Sequence, residues 1–216
     1  MNGKRKVLII AILFVMVAAL GSVALYYWYN GTYFVSTEDA TVTGDLVKVS
    51  PQISGKLLEF DVKEGSRVVK DQILGRVEMD NLSDSIDQSA IRAPIDGIVI
   101  KKQGIVGEIE SVGQTLAVLV DPKTLYINAN IEEKKLGRIH PGQTVDITID
   151  QFEGEKFTGT VNYVGQASNS TFSLLPSSTS GTFTKVVQKI PVRIEFDQHD
   201  EQLLPGTNSL IKIHVK

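Results

Sequence analysis

The sequence predicts a mainly β protein carried on one N-terminal transmembrane helix. Three observations predict it. An uncharged apolar run covers Val7–Tyr29, strand-like alternation fills the chain from Ala40 onward, and a stretch of about 75 residues contains an internal repeat with a 42-residue period. The strands are expected to divide between two packed half-motifs and a small β-barrel.

The apolar run VLIIAILFVMVAALGSVALYYWY holds 23 residues without a charge. As a helix it would reach roughly 35 Å, enough to cross a hydrocarbon core of about 30 Å with some tilt. Lys4, Arg5 and Lys6 stand just before it, and the positive-inside rule then places the N-terminus in the cytoplasm. Tyr26, Tyr27, Trp28 and Tyr29 supply an aromatic belt at the outer interface. A cleaved signal peptide would have a shorter apolar region and a small-x-small cleavage site, whereas YYWYN follows this run. The expected layout is a cytoplasmic tail at 1–6, an anchor at 7–29, and a linker with a lead-in strand at 30–45. The bulk of the chain then lies outside a cell membrane that it crosses once.

The chain has no cysteine, so disulfides, thiol catalysis and cysteine–zinc sites are excluded. Beyond the anchor, 19 Lys+Arg face 25 Asp+Glu, a net charge of −6. No basic patch points to nucleic acid.

The repeat appears when the chain is shifted by 42 residues. Gly55 falls on Gly97, Gly65 on Gly107, Gln72 on Gln114 and Leu74 on Leu116, while Pro51 falls one residue from Pro94. A single copy of about 30 residues cannot bury a core, but two copies related by a pseudo-twofold can. Residues 46–78 and 91–120 are the expected halves. They resemble a biotinyl/lipoyl carrier domain, a β-sandwich built from split half-motifs. In that family the turn between the halves presents a lysine that takes the cofactor. The corresponding turn here is Glu78-Met79-Asp80-Asn81, and no lysine occurs between Lys70 and Lys101. Without a primary amine no carrier amide can form at that turn, so a structural module is expected, with no cofactor.

From Thr124 onward, TLYINANIEEKKLGRIHPGQTVDITID reads as a strand, a short helical turn near Glu132–Ile139, a His-Pro-Gly-Gln turn and another strand. A Ser/Thr-rich loop covers Gln166–Thr184, and KVVQKIPVRIEFD and NSLIKIHVK supply further strands. These predict a barrel over 121–216 with a first strand from 41–49. Its expected core is Tyr126, Ile127, Val145, Ile147, Val161, Val192, Ile194, Ile211 and Ile213, in which the pairs 145/147, 192/194 and 211/213 obey strand alternation.

No catalytic, cofactor-binding or metal-ligating residue is assigned. His140, His199 and His214 are scattered without ligand spacing, Glu132-Glu133 beside Lys134-Lys135 reads as a solvated face, and the serine-rich text has no G-x-S-x-G elbow.

The combination of anchor, split half-motifs and barrel resembles the membrane fusion proteins, or periplasmic adaptor subunits, of the HlyD/EmrA type. STEDATVTGDLVKVSPQISGKLLEFDVKEGSRVVKDQIL resembles the first half-motif of that family, and IRAPIDGIVIKKQGIVGEIESVGQTLAVLVD the second. LYINANIEEKKLGRIHPGQTVDITID is similar to the start of its barrel, and STFSLLPSSTSGTFTKVVQKIPVRIEF to the EmrA-like branch. The resemblance implies a non-catalytic adaptor of a multidrug efflux or secretion transporter in the cytoplasmic membrane. It points to a major-facilitator pump rather than an ABC transporter, and to a homo-oligomer. Most members separate the half-motifs by a long α-helical hairpin that reaches an outer-membrane channel. Here a joint at 80–90 stands in its place, with Leu82 and Ile86 able to share one helical face, so docking to such a channel is not expected. A membrane-anchored surface binding or sensor module is the alternative function.

Overall fold

The computed structural model describes residues 3–78, 86–152, 154–168, 187–197 and 203–216. It opens with helix α1 (Gly3–Tyr33), followed by strand β1 (Phe34–Thr43). The helix therefore begins inside the expected tail and runs past Tyr29. The expected link from Asn30 is helix to Tyr33 and strand thereafter. Asn, Gly, Thr and Tyr are weak helix formers, and here a tertiary contact overrides propensity, because Arg138 donates to the carbonyls of Gly31 and Thr32.

Two compact units follow from the fold. The first comprises Met1–Thr41, Ile127–Gln198 and Asn208–Lys216; the second comprises Val42–Tyr126 and His199–Thr207.

The second unit is a sandwich of two four-stranded sheets. Its strands are β2 (Val47–Val49), β3 (Gly55–Phe60), β4 (Arg67–Val68), β5 (Ile73–Val77), β6 (Ala90–Arg92), β7 (Gly97–Lys102), β8 (Ile109–Glu110) and β9 (Ala117–Val120). One sheet has the order β2-β9-β7-β4 and the other β6-β5-β3-β8. Exchanging the halves turns one order into the other. The 42-residue shift carries β3 onto β7 and β4 onto β8 residue for residue. It also carries the pair Val68↔Gly97 onto Glu110↔Gly55.

The matched glycines have separate physical reasons. A Cβ on Gly55 would lie 2.4 Å from the Glu78 carbonyl oxygen, and one on Gly97 would lie 2.5 Å from that of Val120, the repeat counterpart of Glu78. Gly65 and Gly107 take φ of 82° and 97°, a turn conformation that costs a β-carbon dearly. Each then donates its N–H to the neighbouring strand of its own sheet, which belongs to the other half-motif, Gly65 to Val99 and Gly107 to Leu57. The matched glutamines cap matched turns: Gln72 Oε1 accepts from Val69 N at 2.9 Å, and Gln114 Oε1 accepts from Ser111 N at 3.1 Å. Between the sheets lie Leu57, Leu74, Ile91, Val99, Leu116 and Leu119, all buried.

The first unit holds a closed six-stranded barrel of order β1-β10-β13-β12-β11-β14. Its remaining strands are β10 (Tyr126–Glu132), β11 (Thr144–Ile149), β12 (Phe157–Val164), β13 (Lys189–Phe196) and β14 (Asn208–His214), and a single helical turn, α3 (Glu133–Leu136), follows β10. The first barrel strand is β1, not residues 41–49; Val47–Val49 pairs with β9 in the sandwich instead. The alternation that decides this begins at Phe34, where Val35, Ala40 and Val42 are buried. Of the nine expected core residues, eight are buried, and Tyr126 is half-buried at the start of its strand. Strand alternation accounts for them: β10 turns Ile127, Ala129 and Ile131 inward, and β14 turns Ile211 and Ile213 inward.

Leu82 and most of the Ser/Thr-rich loop lie outside the described residues, so the proposed Leu82/Ile86 face and the greater part of the EmrA-like run do too. Within that run, Lys189–Ile194 forms part of β13, and Ile86 opens the short helix α2 (Ile86–Ser89).

Candidate docking surfaces

The joint between the half-motifs leaves the sandwich where β5 and β6 pair, with Arg76 opposite Ala90. The two ends of the intervening segment are therefore neighbours, and an insertion of any length can leave and return there. In this chain it spans only residues 78–89.

The two halves share a backbone but not a surface. At matched positions the first half exposes Lys63, Glu64, Arg67 and Lys70, whereas the second exposes Ile105, Val106, Ile109 and Val112. Those four aliphatics are 58%, 54%, 78% and 61% exposed. One exchange runs the other way, since Val69 is exposed where its counterpart is Ser111. Arg67 sits on edge strand β4 and Ile109 on edge strand β8, each at the end of its sheet. Ile109 lies opposite Lys56, on the outer face that Leu58 shares by alternation, and Leu58 is also exposed. One edge of a pseudo-symmetric sandwich is thus apolar and its counterpart charged. Both edges form the same backbone structure, although Glu64 also accepts from Lys102 N at 3.0 Å.

A second surface surrounds the end of α1. Arg138 donates to Gly31 O at 2.8 Å and to Thr32 O, and Val215 N donates to Tyr33 O at 3.0 Å. These bonds satisfy helix-end carbonyls that no intrahelical donor reaches. The guanidinium also offsets the negative end of the helix dipole. Lys212 Nζ lies 3.8 Å from the centre of the Phe34 ring and 3.4 Å from Asn30 Oδ1. Phe34 packs edge-on against His214, whose Nε2 is 2.9 Å from Asp146 Oδ2. Lys216 stands over the Tyr33 ring at 5.7 Å. Upstream, the side chains from Ala11 to Tyr29 are all exposed, on a helix stretch long and apolar enough to cross a membrane.

Inside the barrel wall, Asp39 ties β1 to β10 and β13. It accepts from Lys189 Nζ at 2.6 Å and from Asn130 Nδ2 at 2.9 Å. The Lys189 bond first, then the Asn130 bond, holds its carboxyl below the ordinary aspartate value. A shallow cleft of about 210 Å³ beside β4 is lined by Arg67, Asp96, Asp121 and Lys123, of which Asp96 and Asp121 already accept backbone N–H bonds. Among the described residues no three His, Asp or Glu side chains are placed to hold a metal ion.

An apolar helix, a barrel joined to it without a break, and a sandwich with one apolar edge define a modular β architecture led by a helix of membrane-spanning length. Residues 45–122 match the family model of the RND membrane fusion protein barrel-sandwich hybrid domain, and residues 125–213 match that of the YknX-like β-barrel domain. The chain belongs to the membrane fusion proteins, a family of non-catalytic adaptors.

Among curated proteins it is 35% identical to the putative efflux system component YhbJ of Bacillus subtilis, over 99% of this chain and 94% of that one. It is 36% identical to the multidrug export protein EmrA of Haemophilus influenzae over 61% of this chain, but that match spans only 35% of the longer protein. Among solved structures, the membrane fusion protein Spr0693 of Streptococcus pneumoniae superposes with a TM-score of 0.61 at 15% identity, covering 85% of this chain and 99% of that one. The periplasmic adaptor protein EmrA superposes with a TM-score of 0.58 at 14% identity, covering 84% and 98%. At these identities the structural likeness speaks for the fold.

The edge asymmetry was missed in reading the sequence, although its signal is present there. The alignment of the two copies used matches, whereas this surface is written in mismatches.

Proposed function

We propose that this chain is the extracytoplasmic adaptor of an efflux transporter, and that it performs no catalysis itself. The tail at 1–6 stays in the cytoplasm, α1 crosses the membrane once, and the sandwich and barrel lie outside. The transporter sits in the same membrane and is of the major-facilitator multidrug type rather than ABC. Support for efflux comes from the relative in Bacillus subtilis, a putative efflux system component matched over nearly its whole length. The observation that carries assembly is the apolar edge formed by Ile105, Val106, Ile109 and Val112. Edge strands invite pairing with another chain and are normally guarded by charge, as β4 is by Arg67. A neighbouring copy of this chain meets that edge with its own, because the opposite edge would bury lysine and arginine against aliphatics. The lysine-free joint carries no biotin or lipoyl group, which intact mass would reveal. The short joint has no outer-membrane channel to reach.

The test is a pair of gene deletions. Removing this protein should raise drug sensitivity about as much as removing the pump, and an affinity-tagged chain should copurify the transporter. A pump that works equally well without this protein for every compound tried would defeat the proposal.

A further inference from the structure

Cations cluster around the end of α1. Arg138, Lys212 and Lys216 gather there, beside the negative end of the helix dipole and the Asp146 carboxylate. Asp146 lies opposite Lys212 on the neighbouring strand and bonds His214. This cationic cluster is set in a chain whose part beyond the anchor is net negative, at −6. Covalent geometry fixes where the cluster must be. Lys212 and Lys216 stand against Asn30, Tyr33 and Phe34, the last residues of the lipid-length apolar span Ala11–Tyr33 and the one that follows it. Tyr29 and Tyr33 stack at 4.7 Å on the same side of the junction, and aromatic rings of this kind favour the headgroup layer. A lysine held over an aromatic ring at that depth has its ammonium at the level of lipid phosphates. Lys212 spends one hydrogen bond on Asn30 and keeps its other donors.

We propose that Lys212 and Lys216, on the barrel's last strand and tail, bind anionic phospholipid headgroups where α1 leaves the membrane, seating the barrel on the bilayer surface. The lipid then does what a linker cannot. The helix runs into β1 without a hinge, so the tilt of the helix sets the tilt of the barrel, and headgroup contacts on the barrel fix both. A protein contact at the same place is less well matched, because the cationic cluster alternates with rings that prefer the interface.

This inference rests on the proposed membrane crossing, and the test separates the two. The chain has a single tryptophan, Trp28, five residues from the helix end. The full chain is reconstituted into vesicles containing either brominated phosphatidylglycerol or brominated phosphatidylcholine, and quenching of Trp28 gives the relative affinity for each lipid. Phosphatidylglycerol should be preferred, with roughly fivefold of the preference lost for each lysine changed in Lys212→Gln and Lys216→Gln, and with the preference falling as salt rises. Lys48→Gln with Lys56→Gln, in the sandwich, should leave it intact. Arg138 stays in place throughout because it caps the helix. Equal quenching by the two lipids would overturn the proposal and leave the lysines as partners of the helix end or of another protein. A chain that fails to enter vesicles, with no quenching by either lipid, would refute the membrane crossing itself.

Discussion

Glu110 occupies the place in the second half-motif that Val68 fills in the first. The 42-residue shift relates them, both are buried, and their backbones pair with equivalent glycines, Gly55 and Gly97. Glu110 is only 1% exposed, and its Oε2 has no hydrogen-bond partner. An acid oxygen without a partner costs about 1–3 kcal/mol when buried. Because Val68 shows that this cavity geometry accepts valine, Glu110→Val should raise stability by about 1–2 kcal/mol, read as a higher midpoint in chemical denaturation. A lower midpoint would mean that Glu110 makes a contact stronger than its burial penalty.

Ile194 tests the barrel in the opposite sense. It lies fully buried on β13, opposite Val161 of β12. Ile194→Asp should place an unpaired charge in the barrel core and destabilise the protein by about 3 kcal/mol or more. An unchanged melting curve would show that this face of β13 does not support the barrel.

The barrel core and the sandwich register were readable because both depend on short-range alternation and on glycines with backbone duties. Ile194, Ile211 and Gly55 announce themselves through their neighbours in the chain. The junction was not readable in that way. Asn30 to Tyr33 look like a linker by propensity, and only Arg138, more than a hundred residues away, makes them helix. The same limit hid the first barrel strand. Residues 34–43 and 47–49 both alternate, and pairing with β14 or β9 decides which unit each joins. The charge contrast between Arg67 and Ile109 was in plain text, but it needs the superposed halves before it reads as a surface.

Arg138→Ala should turn the rigid junction into a hinge. It removes two charge-assisted hydrogen bonds from helix-end carbonyls, an effect of about 1–2 kcal/mol. The loss should appear locally. Chymotrypsin should cut at Tyr33 or Phe34 roughly tenfold faster in the variant, while the barrel melts as before. Equal cleavage rates would assign the helix extension to other contacts.

Asp39 gives the pH dependence. Its carboxyl is held below the ordinary value by the bonds from Lys189 and Asn130, so the folded state binds its proton less readily than the unfolded state. Its stabilising contribution is therefore complete above the unfolded value of about 3.9 and is lost as pH falls through the lower folded value. Both partners are more than two-fifths exposed, so screening keeps the effect below about 1 kcal/mol. Asp39→Asn should be less stable than the natural protein at neutral pH by that small amount, and the difference should shrink as the medium is acidified below pH 4. A difference that grows on acidification would reverse the assigned shift.

The apolar edge can be tested with the protein's own alternative. At the positions of Val106 and Ile109 the first half-motif carries Glu64 and Arg67, on the same backbone and exposed, with Glu64 Oε1 also accepting from Lys102 N at 3.0 Å. Val106→Glu with Ile109→Arg therefore copies a surface the fold already tolerates, and stability should move by no more than about 0.5 kcal/mol. Association should change far more. A contact between two β8 edges would lose its apolar burial and would have to strip water from four charged side chains. Crosslinking in intact membranes should fall from oligomer to single chains, and drug sensitivity should approach that of the deletion strain. The mirror exchange, Glu64→Val with Arg67→Ile, should add a second apolar edge and drive the protein into larger assemblies, with a small loss of stability from the bond that Glu64 accepts from Lys102 N. Oligomers that survive the first exchange unchanged would show that β8 does not join the copies.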